Sequence, residues 1–288
     1  PYDIQVCNIP VIMVVETFIP YYSQFLPVLY EQIIQLCLQL IHQEHQSQFN
    51  SLYLNARPRI VLFHDYESAL NFYDHYNKSI IGIISNINYN YLGNYQPNAG
   101  LQLLQNIRVH NPSLPFLMQS FDPEYRDIVS SSGGEFLIKD LSGIRAQMRK
   151  WLETEIGFGK FIFRRPDTEK LDEASTLIGF YHSLQNLPVS SLMYHLQTRQ
   201  INSWLIAHTE IALYNYINSI PLDMDPVDIK QKIIEALFSL ISFRRREKIQ
   251  DYNEESDFEL NFIYKIGEDS IGGKGRGLAF LNVALNRY

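Results

Sequence analysis

Short apolar runs alternate in the first half of the chain with stretches in which apolar residues recur every three or four positions. The first run, Val11–Val15, is continuous and mainly β-branched, and it ends abruptly at Glu16 and Thr17, which is typical of a buried parallel strand. Residues 22–41 follow with apolar side chains at helical spacing, which predicts an amphipathic helix of about five turns. The chain therefore opens with a strand followed directly by a helix.

The same alternation occurs four more times. The further apolar runs are residues 60–63, 80–84, 115–118 and 135–138, with helical stretches between them. Five strands that alternate with helices predict a doubly wound α/β domain, in which a five-stranded parallel sheet is covered by helices on both faces. We place this domain at residues 9–152, and we expect its last helix, residues 142–152, to be capped by Ser142.

Helical patterns dominate beyond residue 152. The aromatic run at residues 157–163 fits either one strand or an extended linker, and helices are expected at residues 171–184, 191–200 and 202–217. A further helix is expected to be capped by Asp225 and to begin at Pro226, since proline is favoured in the first helical turn. We therefore predict a mainly α-helical segment over residues 153–262.

The composition favours a soluble, cytoplasmic protein with two globular units. The chain has 288 residues, of which 46% are hydrophobic, and this is ample for packed cores. The net charge of −7 provides no basic field of the kind that binds nucleic acid, so no such partner is expected. Glu31 and three glutamines interrupt the longest apolar stretch, residues 25–41, which argues against a membrane span. Cys7 and Cys37 form no spaced disulfide framework.

Chemically useful side chains follow the predicted strands. Ligands of a doubly wound sheet lie outside the carboxyl ends of its strands, where these side chains are expected to converge. They are Glu16 and Thr17 after the first strand, Ser85 and Asn86 after the third, Ser120 after the fourth and Lys139 after the fifth. Acidic oxygens suit Mg²⁺, while hydroxyl and ammonium groups suit phosphate oxygens. The pattern predicts a crevice for a metal ion and a phosphoryl group.

The order and spacing of these residues resemble the receiver domain of bacterial two-component response regulators. The matching segments within residues 9–152 are VIMVVET, IIGIISN, AGLQLLQNIRVHNPSLPFLMQS and GGEFLIKD. The resemblance implies a flavodoxin-like sheet with the strand order 2-1-3-4-5. It also implies that Glu16 and Thr17 match the acidic metal-binding pair, Asn86 the phosphate-accepting aspartate, Ser120 the switch hydroxyl and Lys139 the phosphate-contacting lysine.

Two of these five positions depart from the receiver pattern. The neutral amide of Asn86 has no nucleophile comparable to a carboxylate, so ordinary phosphorylation is not expected. Thr17 removes a second negative charge, which leaves Glu16 as a weak Mg²⁺ ligand on its own. Three interpretations of the crevice stay open: a structural ion pair between Glu16 and Lys139, a ligand site with a new purpose, or weak residual metal binding.

A glycine-rich segment near the end of the chain suggests a second phosphate site. Its members are Gly272, Gly273, Lys274, Gly275 and Arg276, and such a turn before a helix directs backbone amides and cations at phosphate. The stretch YKIGEDSIGGKGRGLAFLN resembles the opening of the nucleotide-binding domain of phosphoenolpyruvate synthase and pyruvate, phosphate dikinase. This resemblance implies that residues 263–288 begin an ATP-binding domain.

The receiver-like front, FGKFIFRR, YHLQTRQINSWLIAHTE and this ending together resemble a multidomain group of phosphoenolpyruvate synthase-related proteins. That resemblance implies a parent chain that continues into ATP-binding, phosphohistidine and pyruvate-binding parts, so residues 1–288 are not expected to be catalytic alone or to hold a cofactor. The first hypothesis is therefore a regulatory or docking module whose partners are other domains of the same protein or a second copy. The alternatives are a response regulator with a helical DNA-binding output and a flavodoxin-like binder of a small molecule.

The histidines show no spacing that indicates a metal site. His195 and His208 flank Trp204, but the sequence places no third ligand beside them and contains no HExxH motif. We therefore expect these histidines to pack in the core or lie at the surface.

Overall fold

A five-stranded, all-parallel sheet forms the centre of the first unit. The computed structural model describes residues 4, 9–43, 57–140, 142–166, 169–245, 249–251, 263–265 and 272–285. The first seven strands in chain order are β1 (Val11–Val15), β2 (Arg59–Phe63), β3 (Ile80–Asn86), β4 (Tyr89–Tyr91), β5 (Asn94–Gln96), β6 (Phe116–Ser120) and β7 (Glu135–Ile138). The sheet order is β2-β1-β3-β6-β7, so the prediction of an α/β unit with a five-stranded parallel sheet is confirmed, and the arrangement is consistent with a flavodoxin-like fold.

The strand order differs in numbering from the predicted 2-1-3-4-5 because a hairpin interrupts the connection from β3 to β6. In this hairpin β4 and β5 pair antiparallel to each other, outside the parallel sheet. It had no clear signal in the sequence, since three-residue strands are too short to show an alternating pattern.

Helices cover both faces of this sheet. They are α1 (Ile19–Gln43), α2 (Tyr66–Tyr76), α3 (Ala99–His110), α4 (Tyr125–Ser131) and α5 (Ile144–Trp151). Alternate residues of β1 enter different cores: Ile12 and Val14 pack with α1 and α5, while Met13 and Val15 pack with α2, α3 and α4. A strand buried on both faces has no polar alternation, which explains why β1 is a continuous apolar run.

Helix α1 is the only described helix long and apolar enough to cross a membrane, over Ile19–Ile41, with a mean hydropathy of 1.2. Length and composition alone are weak evidence, because the core helix of a globular protein has the same properties. Here Phe25, Leu29 and Ile33 are at most 1% exposed and pack against the sheet. The apolar face of α1 therefore serves as a packing face.

The boundary between the two units is a short π-helical segment that follows α5. Helix α5 begins at Ile144, with Gly143 at its N-cap, so the prediction that Ser142 caps a helix starting at residue 142 is wrong. The Ser142 hydroxyl instead donates a hydrogen bond to Asp140, 2.6 Å away. After α5 the chain forms a π-helical turn over Leu152–Ile156 and ends it at Gly157, whose φ is 98°, a conformation that favours glycine.

The second unit contains a β-hairpin followed by five helices in its described residues. Strands β8 (Phe161–Arg164) and β9 (Lys170–Ala174) pair antiparallel. The helices are α6 (Leu177–Asn186), α7 (Val189–Gln197), α8 (Gln200–Ala207), α9 (Ile211–Ser219) and α10 (Pro226–Arg245). The start of α10 at Pro226 was predicted correctly, and Asp225 accepts a hydrogen bond from the Val227 amide, as a cap does.

Two predicted helices in this unit were wrong in part. The helix expected at residues 171–184 is a strand at its start, because β9 pairs with β8, and α6 begins only after Thr176, which caps it. The helix expected at residues 202–217 is broken between α8 and α9. Thr209 has a φ of 59° there, which a continuous helix does not allow.

One of the hydrophobic clusters spans both units. The cluster that holds Ile12 and Phe25 of the first unit also contains Phe158, Ile206 and Ala207 of the second, all of them buried. Beyond α10 the structure describes a short parallel pair, β10 (Ile249–Asp251) and β11 (Ile263–Lys265), and a last helix, α11 (Gly273–Leu285).

Candidate functional site

The carboxylate of Glu16 lies at the carboxyl end of β1 and is fully buried. Its Oε1 atom accepts hydrogen bonds from the amides of Thr17 and Phe18, at 3.0 and 2.9 Å, and from Asn86 Nδ2 at 3.3 Å. The two amides belong to the turn before α1, where the chain leaves the sheet and has no strand partner for them. Glu16 thus completes this turn as well as occupying the predicted crevice.

Lys139 reaches the other oxygen of the same carboxylate. Its Nζ atom forms an ion pair with Glu16 Oε2, and the two side chains are 1% and 0% exposed. Burial lowers the pKa of Lys139, and the neighbouring Glu16 charge opposes this shift. Of the three interpretations of the crevice, the structural ion pair between Glu16 and Lys139 matches this geometry.

Three aromatic side chains, which we call the aromatic cover, lie over the ion pair. They are Phe18, Tyr21 and Phe121. Lys139 Nζ lies 4.5 Å from the centroid of the Tyr21 ring and 5.2 Å from that of Phe121, and Phe18 packs edge-on against Phe121 at 6.1 Å. Cation–π contact adds to the stability of a desolvated lysine. These rings help to shield the Glu16–Lys139 ion pair from solvent.

Sequence reasoning missed the aromatic cover and its support. The Tyr21 hydroxyl donates a 2.7 Å hydrogen bond to Gln119 Oε1 on β6, and burial together with the Glu16 charge raises the pKa of Tyr21. One signal was available, because Phe18 and Phe121 each stand one residue beyond a predicted crevice position at a strand end. An aromatic residue at such a position can fold back over the site.

The remaining predicted residues lie at the same edge of the sheet in different roles. Asn86 is part of the cluster: its Oδ1 accepts from the Ile87 amide at 2.8 Å, and its Nδ2 also donates to the carbonyl of Asn88 at 3.0 Å. The Ser120 hydroxyl accepts from the Asp122 amide at 3.1 Å, and Thr17 contributes its backbone amide to Glu16. The structure therefore brings Glu16, Asn86 and Lys139 into contact.

This arrangement leaves Glu16 with few free lone pairs for a cation. Both of its oxygens already accept hydrogen bonds, and its negative charge is matched by Lys139. Among the described residues, no group of three His, Cys, Asp or Glu side chains is arranged to hold a metal ion. Any Mg²⁺ bound here would have to displace the lysine.

The predicted nucleotide-binding segment takes up the start of α11. The helix begins at Gly273, so Lys274, Gly275 and Arg276 are helical instead of forming a loop before the helix. The Arg276 amide donates a hydrogen bond to the Gly272 carbonyl at 3.1 Å. Lys274 and Arg276 are exposed, while Gly275 is half-buried. Residues 266–271, which would form the rest of the loop, lie outside the described residues.

Comparison with known proteins adds no family assignment. No protein-family model matches this chain, and no curated protein matches it. The resemblances to receiver domains and to phosphoenolpyruvate synthase therefore stay predictions.

Gly100 fixes the distance between α3 and the end of β3, and this gives a first prediction. A Cβ atom there would lie 2.2 Å from the Asn86 carbonyl oxygen and 2.9 Å from Met118 Cε. Gly100→Ala is expected to lower the free energy of unfolding by about 1 to 2 kcal/mol, because the backbone at Asn86 must move, despite the better helix propensity of alanine. Urea unfolding monitored by circular dichroism measures this.

Gly277→Ala is the matched control, since no atom of the described residues lies within 4 Å of a Cβ atom at Gly277. A Gly100→Ala protein as stable as the Gly277→Ala protein would show that α3 does not need this close approach.

Proposed function

We propose that the α/β unit is a receiver-like regulatory or docking module of a cytoplasmic phosphoenolpyruvate synthase-related phosphotransferase, and that it keeps one conformation instead of switching. The observation that carries this proposal is the buried ion pair between Glu16 and Lys139 beneath the aromatic cover. In a phosphorylated receiver the lysine would contact the phosphoryl group. Here the lysine already has a permanent anionic partner within the protein.

The chemistry of Asn86 supports the same conclusion. Formation of an acyl phosphate requires attack by an ionised carboxylate oxygen on phosphorus. Both polar atoms of the Asn86 side chain are engaged in hydrogen bonds, one with the Ile87 amide and one with Glu16 and Asn88. The amide thus holds the crevice together in the position where a receiver would accept phosphate.

The surface above the crevice is suited to a fixed contact. Phe18, Ile19 and Phe121 are 48%, 63% and 59% exposed, so the rim of the sheet presents an apolar patch of the kind that marks interaction sites. We assign this patch to contact with other domains of the parent protein, with a second copy of the chain as the other candidate. Catalysis and ATP binding belong to the parent protein in this proposal.

Treatment with acetyl phosphate and Mg²⁺ tests the absence of switching. We expect intact-mass spectrometry to show no 80 Da increase, since the neutral amide of Asn86 lacks an ionised carboxylate oxygen to attack phosphorus. The ¹H–¹⁵N spectrum of the protein is likewise expected to stay unchanged at Glu16, Asn86 and Lys139. A phosphorylated protein, or shifted signals for these three residues, would refute the proposal.

Asn86→Asp is the informative control for this experiment. It replaces the Asn86 amide, which donates a hydrogen bond to Glu16, with a carboxylate that can attack phosphorus. If Asn86→Asp takes up phosphate while the unaltered protein does not, the amide alone blocks the reaction. If neither protein does, the retained ion pair also excludes the phosphoryl group.

A further inference from the structure

A polar groove lies between the two units at the opposite edge of the parallel sheet. It consists of two adjoining hollows of about 370 and 50 Å³ that share Lys78, Arg199, Ile206 and Tyr214 as walls. We call it the amino-edge groove, because Lys78 and Pro10 lie in the loops that lead into β3 and β1. The larger hollow falls within the size range of small-molecule sites.

One face of α9 forms a wall of this groove. Ile211, Tyr214, Asn215 and Asn218 all line the larger hollow, and their spacing of three, one and three residues places them side by side on a helix. The side-chain Oδ1 of Asn218 accepts a 2.7 Å hydrogen bond from Asn202 Nδ2. This wall offers an apolar and aromatic surface next to amide groups.

The charge of the groove is opposite to that of the whole protein. The chain has a net charge of −7, yet no Asp or Glu is among the described residues that line either hollow. Lys78 and Arg199 are exposed, and neither forms an ion pair with another described residue. Two cations without a carboxylate partner attract an anion, most strongly a phosphate, which accepts several hydrogen bonds.

The backbone of one of these cationic residues has an unusual conformation. Arg199 occupies the turn between α7 and α8 with a φ of 57°. Its amide donates to the Leu196 carbonyl at 3.2 Å, and its own carbonyl accepts from the Ser203 amide at 3.0 Å. A non-glycine residue in this left-handed conformation is uncommon, and such positions concentrate where the surrounding structure determines the conformation.

We infer that the amino-edge groove binds a small phosphorylated molecule with a planar ring, of the size of a mononucleotide. The phosphate lies between Lys78 and Arg199, and the ring lies against Tyr214 and Ile211 with its polar edge facing Asn215. This site is separate from the crevice of Glu16 and Lys139, which is at the other edge of the sheet. Because its walls come from both units, an occupied groove would also stabilise their junction.

Isothermal titration with AMP, GMP, CMP and UMP in low-salt buffer tests this inference. At least one mononucleotide is expected to bind with a Kd below about 1 mM, and inorganic phosphate and adenosine alone are each expected to bind more weakly. Lys78→Gln and Arg199→Gln are each expected to weaken binding about tenfold, since each removes a charge-assisted hydrogen bond. Lys232→Gln on α10, an exposed lysine outside the groove, is the charge-matched control and is expected to bind normally.

Several results would overturn the inference. These are the absence of binding by all four mononucleotides at millimolar concentration, equal binding by phosphate or adenosine alone, and unchanged binding after the loss of Lys78 or Arg199. Circular dichroism shows whether each variant is folded. Should Arg199→Gln fail to fold because of its backbone conformation, Lys78→Gln and Asn215→Ala provide the same test, and normal binding by both would equally overturn it.

Discussion

Replacing Lys139 with methionine is expected to lower the free energy of unfolding by about 3 to 5 kcal/mol. The substitution keeps a long apolar side chain beneath the aromatic cover but leaves the carboxylate of Glu16, which is 0% exposed, without its counter-charge. Removing one member of a buried pair is costly because the remaining charge has neither solvent nor a counter-charge. Urea unfolding at pH 7 measures the loss.

Two further variants separate the ion pair from a general effect of removing a lysine. Lys160→Met breaks the exposed pair with Glu173, whose side chains are 58% and 37% exposed, and it is expected to cost less than about 1 kcal/mol. The double variant Glu16→Gln/Lys139→Met is expected to be more stable than Lys139→Met alone, because no uncompensated charge remains. Equal losses for Lys139→Met and Lys160→Met would show that the buried pair has no special role.

Acidification is expected to destabilise the protein through His208. This side chain is buried next to Trp204, with ring centroids 4.0 Å apart, and its Nε2 atom has no hydrogen-bond partner among the described residues. Burial lowers the pKa of His208 from an ordinary value of 6.5 to about 3. Below pH 6.5 the unfolded chain therefore binds a proton that the folded protein does not.

The sign of the effect follows from this difference in proton binding. Stability contributed by neutral His208 is fully present above pH 6.5 and is lost as the pH falls toward 3, by about 2 to 3 kcal/mol at pH 4.5. Between pH 7 and 4.5, the free energy of unfolding of His208→Gln is expected to fall by about 2 to 3 kcal/mol less than that of the unaltered protein. Chemical denaturation at the two pH values measures this difference. His75→Gln, at an exposed histidine, is the control, and identical pH profiles for all three proteins would contradict the prediction.

The sequence was most informative about the parallel sheet. Strands that are buried on both faces are mostly apolar, so β1 and residues 80–84 of β3 stand out as apolar runs. The start of α10 was equally clear, because Asp225 and Pro226 satisfy the local requirements of a helix end without help from distant residues. These elements are determined by nearby residues or by a burial pattern that repeats along the strand.

Elements that depend on distant partners were harder to predict. Residues Lys170–Ala174 form a strand because β8 lies beside them, although a helix pattern could be drawn through Leu171 and Ala174. The break at Thr209 likewise has no glycine or proline to mark it. Tertiary contacts override local propensity at both places.

The sequence could predict which residues form the candidate site, but not which groups these residues contact. The carboxyl ends of parallel strands lie at the same edge of a sheet, so the sequence alone could predict that Glu16, Asn86 and Lys139 lie close together there. Whether Lys139 binds a ligand or Glu16 depends on distances and burial, which a sequence does not contain. The same holds for Gln119, whose oxygen orients Tyr21 above the pair.

The hydrophobic cluster that spans both units determines how the protein can move. Ile206 and Ala207 of α8 pack in the same cluster as Phe25 of α1, so a rotation of one unit about the other would expose apolar area at a cost of roughly 25 cal/mol per Å². The segment around Gly157 is consequently a rigid joint instead of a hinge.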